Sequence, residues 1–145
     1  MKTFSEPLVK RLLICAVLGL VFGFICFFLA ESSNKDDSLW CTPTMWGIIF
    51  NRFLLGIVVF IAGAYTYNKV FKFKVMPWLR GSILGAFVSI DLAIWSLADP
   101  TMDRSEGWAI FGLTILAGAI YGLIIDVVSS KIAGQGKKVI EGWSD

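Results

Sequence analysis

The sequence predicts an all-α, polytopic membrane protein: a bundle of four transmembrane helices with both chain ends on the cytoplasmic side. Three observations predict it. Hydrophobic residues make up 57% of the 145 and charged residues 17%, against about 25% charged in a soluble domain. The apolar positions gather into four blocks, each near the roughly 20 helical residues that cross a hydrocarbon core. The basic residues divide unevenly between the two sides that such crossings create.

The blocks are Leu12–Ala30, Met45–Tyr67, Pro77–Ala98 and Trp108–Val128. Together they take 85 of the 145 residues, so the chain reads as a single transmembrane domain over 1–145 with no separate soluble domain. The first block follows Lys10 and Arg11 as a secretory signal would. It exceeds the ~7–15 apolar residues of such a signal, and Phe28 stands where a cleavage site ending at Ala30 needs a small residue. A retained helix is predicted. The Asp99-Pro100 turn makes the third and fourth blocks an antiparallel hairpin. Gly134 and Gly136 end the fourth helix near Ile132, ahead of a cytoplasmic tail over 129–145.

Charge sets the orientation. Lys2, Lys10 and Arg11 precede the first block; Lys69, Lys72, Lys74 and Arg80 surround the connection between the second and third; Lys131, Lys137 and Lys138 follow the fourth. The other two connections hold only Lys35 and Arg104 among six acids. Ten basic residues against two place both termini in the cytoplasm, in a cell inner membrane for a prokaryotic source. The net charge of +2 is a basic inner rim offset by an acidic outer one, so nucleic acid is not an expected partner, whereas membrane lipids are. Trp40, Trp46, Trp95 and Trp108 fall at the outer headgroup level and Trp78 at the inner one.

Small residues recur every four positions on three helices, Gly19 and Gly23 on the first, Gly81 and Gly85 on the third and Gly118 and Gly122 on the fourth, while the second offers Gly56 and Gly63 two turns apart. Helices in lipid gain nothing from hydrophobicity, and such stripes let backbones approach until dispersion holds them. The number of small-residue faces also points to a homo-oligomer or a larger membrane complex. Each half of the chain is one hairpin, and the offset that carries Trp46 onto Trp108 also aligns Ile48 with Ile110, Leu54 with Leu116, Gly56 with Gly118 and Lys69 with Lys131; chance matching among apolar residues explains most of this, and a decayed duplication is the competing reading.

Four charged residues lie within the blocks, where a charge at the bilayer centre costs roughly 2.5–3.5 kcal/mol. Arg52 and Asp91 each sit seven residues, about 10 Å, from the outer end of their helices, and Arg80 and Asp126 lie near the inner ends. Depth thus pairs Arg52 with Asp91 and Arg80 with Asp126, two structural ion pairs that fix helix register. Asn51 and Tyr121 adjoin the same face, so Arg52, Asp91, Asn51 and Tyr121 form the candidate binding site if the interior is instead a polar cavity. Without histidine, Cys-x-x-Cys or a nucleophile beside a base, the sequence names no catalytic residue, metal site or cofactor.

The runs Trp78-Leu79-Arg80-Gly81-Ser82-Ile83-Leu84-Gly85, Asn51-Arg52-Phe53-Leu54-Leu55-Gly56 and Ala119-Ile120-Tyr121-Gly122-Leu123-Ile124-Ile125-Asp126 resemble small four-helix, multi-pass membrane proteins of bacteria and archaea. The resemblance covers the second to fourth helices, about half the chain, and implies a fold but no activity. Three functions compete. They are a non-enzymatic structural or assembly component of a membrane complex or oligomer, a small ion or solute channel or transporter working through Arg52 and Asp91, and a lipid-modifying enzyme.

Overall fold

A computed structural model describes residues 6–33, 39–68, 73–98 and 103–136. The chain runs through α1 (Glu6–Ser33), α2 (Pro43–Ala62), a two-residue β1 (Tyr67–Asn68) paired antiparallel with β2 (Phe73–Lys74), α3 (Pro77–Val88), α4 (Ile90–Ala98) and α5 (Arg104–Ala133). Among the described residues the regular structure is all helical but for that hairpin. Four helical stretches, α1, α2, α3 with α4, and α5, are long and apolar enough to span a membrane.

The helix ends depart from the apolar blocks for local reasons. α1 begins six residues before Leu12 because nothing between Glu6 and Arg11 breaks a helix except Pro7, which is tolerated in a first turn. Arg11 is drawn into the bundle with it and leaves the basic rim. α2 starts at Pro43 behind Thr42, whose hydroxyl accepts from the Met45 N–H at 3.4 Å. It stops at Ala62 rather than Tyr67, since Gly63 caps it and Thr66 enters the hairpin by accepting from the Val75 N–H at 2.9 Å. α5 runs from Arg104, capped by Asp103, to Ala133, where Gly134 takes φ 84° and ends the helix as expected. The Asp99-Pro100 turn, Lys2, Lys69, Lys72, Lys137 and Lys138 lie outside the described residues.

Glycine decides how the helices meet. Gly19 and Gly23 lie against the α2 backbone at Arg52, Ile49 and Gly56, while Gly81 and Gly85 lie against Gly122 and Gly118 of α5. A Cβ on Gly85 would run into the Gly118 carbonyl, and one on Gly56 into the Cys15 carbonyl. Two glycine-lined seams result, α1 with α2 and α3 with α5. The small-residue faces predicted from the sequence are therefore occupied inside one chain. Gly47 and Gly112, by contrast, have open space around them. Between the seams lies a core of Cys15, Leu55, Val59 and Ile125, with Phe27, Met45 and Ile49 packed towards the far end. The start of α1, the end of α2, the start of α3 and the end of α5 all meet at one end of the bundle.

Candidate functional site

Two polar clusters interrupt the apolar interior. At the end where the chain starts and finishes, Asp126 is fully buried and receives two arginines. Arg80 Nε donates to Oδ2 at 2.7 Å and Arg80 Nη2 to Oδ1 at 2.8 Å, a bidentate pair. Arg11 Nη2 donates to Oδ1 at 2.8 Å, and Ser130 Oγ lies 3.2 Å from the same oxygen. The guanidiniums also collect backbone: Arg80 Nη1 donates to the Tyr65 carbonyl and Arg11 Nη1 to the Gly134 carbonyl, each at 2.6 Å. One carboxylate thus ties the ends of α1, α3 and α5 and the segment leaving α2.

Arg11 is the residue that sequence reasoning left in the basic rim. Its side chain is fully buried, and it reaches Asp126 by lying across Gly63, where any Cβ would collide with the guanidinium. Arg11 Nε is a buried nitrogen without a partner. A signal for its burial exists in the chain. Continuing the Gly19–Gly23 spacing in both directions reaches Cys15 and Arg11 on one side and Phe27 on the other, and all five are buried.

The second cluster lies deeper, around a break in the third span. Ser89 separates α3 from α4, and its Oγ donates to the Gly85 carbonyl at 2.7 Å. Asn51 Nδ2 donates both to the Val88 carbonyl at 2.9 Å and to Asp91 Oδ1 at 2.8 Å. Arg52, 2% exposed, donates through Nη1 to Ser89 Oγ and to Asn51 Oδ1, and through Nε to Cys26 Sγ at 3.3 Å. Its guanidinium lies 5.5 Å from the centre of the Tyr121 ring, which stacks on Phe22 at 4.6 Å.

The expected Arg52–Asp91 ion pair is not formed. Asn51 stands between them, taking the carboxylate with its amide nitrogen and the guanidinium with its amide oxygen. The reason is the break: a Val88 carbonyl without its helical donor draws Asn51 across, and Ser89 gives Arg52 a nearer acceptor. Asp91 ends at the surface of the bundle, exposed, whereas Arg52, Arg80 and Asp126 are buried. Phe87, Ile94 and Trp95 on the same span are exposed beside it at one-turn spacings.

Cys15, Cys26 and Cys41 are free thiols. Among the described residues no group of histidine, cysteine and carboxylate side chains could hold a metal ion. The arrangement can fix helices and present the exposed Asp91 carboxylate sideways, with the polar groups at the helix break buried behind it. No family model, curated protein or solved structure matches the chain.

Proposed function

We propose that the protein is a non-enzymatic integral membrane component that assembles laterally, with a second membrane-embedded chain or further copies of itself, through the face carrying Asp91. Both termini lie in the cytoplasm, in a cell inner membrane for a prokaryotic source, and the Asp91 end of the bundle is the outer one. The observation that carries this reading is the exposure of Asp91. A carboxylate facing lipid at the bilayer centre costs roughly 2.5–3.5 kcal/mol, and one seven residues inside the outer end of its span keeps part of that cost. Asn51 offers it one neutral donor. A donor or cation from a neighbouring helix removes the rest of that cost, and the exposed Phe87 and Trp95 supply rigid contact area around it.

The test is the mass of the particle extracted in mild detergent with its partners retained. Wild-type protein is expected to exceed one chain, and Asp91→Asn to fall towards one chain with its melting temperature little changed. A single chain in both contradicts the assembly role.

A second reading has its own observation. Broken membrane helices present backbone carbonyls and helix ends to solutes in transporters, and the third span is broken beside Arg52 and Asn51. On that reading, proteoliposomes carry an ion or small anion flux that Arg52→Gln abolishes while the protein still folds. Liposomes as tight as protein-free controls exclude it.

A further inference from the structure

α1 and α5 meet outside the two glycine seams, through the buried Arg11–Asp126 pair and the Cys15–Ile125 contact. α1 carries no glycine between Arg11 and Leu18, and α5 carries none between Leu123 and Ala133. Beside the line where Arg11 and Cys15 of α1 meet Asp126 and Ile125 of α5, the outer flank of the two helices forms an open groove of about 350 Å³, lined by Leu13, Ile14, Val17, Leu18, Val128 and Ile132. Leu13, Val17 and Ile132 are more than half exposed there. The lining is wholly apolar. Among the described residues its charge lies at one mouth: Lys10 is exposed and lies one helical turn before Leu13 and Ile14, on the same face. Lys131 is exposed beside Ile132, three residues after Val128. Among the described residues, the buried charges at this end, Arg11, Arg80 and Asp126, are already spent on one another. Glu6 lies a further turn out from Lys10.

We infer that this groove binds one anionic phospholipid of the leaflet at the chain-terminal end, with an acyl chain along Leu13, Val17 and Ile132 and the phosphate between Lys10 and Lys131. The assignment rests on the membrane reading above and on charge complementarity. An acyl chain needs an apolar trough, and an anionic headgroup needs cations where the trough reaches the interface. Each such lysine contributes severalfold to the attraction, and two together give a preference of roughly 30-fold for an anionic over a zwitterionic lipid.

Membranes are first washed with alkaline carbonate, which separates inserted from peripheral protein. Protein purified in detergent is then titrated with phosphatidylglycerol or phosphatidylcholine of matched chains, and bound lipids are counted by native mass spectrometry. One phosphatidylglycerol is expected to be held about 30-fold more tightly than phosphatidylcholine. Lys10→Gln combined with Lys131→Gln brings that ratio close to one. Val17→Trp, which fills an exposed trough, lowers retention of both lipids at an unchanged melting temperature. Equal retention of the two lipids by the wild type, or a preference that survives loss of both lysines, overturns the lipid site while leaving membrane insertion intact. Release of the chain by carbonate overturns the membrane reading and the lipid site with it.

Discussion

At the scale of single residues, Asp126 is the group on which most depends. Two guanidiniums share one carboxylate, so these three buried groups together carry a net positive charge. Removing the carboxylate leaves both arginines buried and uncompensated, and Asp126→Asn is expected to cost about 3–5 kcal/mol. Arg11→Met leaves the bidentate Arg80–Asp126 pair neutral and intact, so its cost is expected to be clearly smaller. Denaturant unfolding of the two variants in detergent checks the order; equal losses contradict it. Depth along the helices was enough to match Arg80 with Asp126, because both fall near the same end of their blocks. Arg11 was not legible from its neighbourhood, since it follows Lys10 at the edge of an apolar block, where a basic residue ordinarily faces lipid headgroups. Arg52 was legible as buried but not in its partner, because nothing in the order of residues marks Ser89 as a helix break.

At the scale of elements, the glycine seams set how closely helices pack. A Cβ at Gly85 meets the Gly118 carbonyl, a backbone atom that cannot step aside. Gly85→Ala is therefore expected to lose about 1–3 kcal/mol of stability by forcing α3 and α5 apart. Gly112→Ala, with open space around it, is expected to be neutral or to gain up to about 1 kcal/mol through helix propensity. Melting both variants in one detergent decides the point, and equal behaviour would sink the seam. The four-residue spacing of glycine predicts which faces are buried, but not which helix each face meets. The structure assigns every predicted stripe to a partner within the chain, which removes the stripes as an argument for oligomers and leaves Asp91 as the one that remains. The third span shows the limit of pattern reading most plainly. Pro77–Ala98 is continuous in hydropathy, yet it divides at Ser89, where a serine bonds back to the preceding turn.

At the scale of the whole molecule, two hairpins stand side by side, each closed by glycines at matching places. The offset that carries Trp46 onto Trp108 also carries Gly19 and Gly23 onto Gly81 and Gly85, so the two seams use corresponding positions. That correspondence adds weight to a duplicated hairpin. In such an arrangement both hairpins begin and end on the same side, with the Asp126 cluster binding their open ends together.

Topology tests this account most directly. In a background with Cys15, Cys26 and Cys41 replaced, single cysteines at Glu6, Thr44, Ser105 and Lys131 would be labelled in intact cells with a membrane-impermeant thiol reagent. The account predicts labelling of positions 44 and 105 from outside, and of positions 6 and 131 only after the membrane is opened. Reaction of positions 6 and 131 from opposite faces would contradict it, because Arg11 and Asp126 could then not share one end of the bundle.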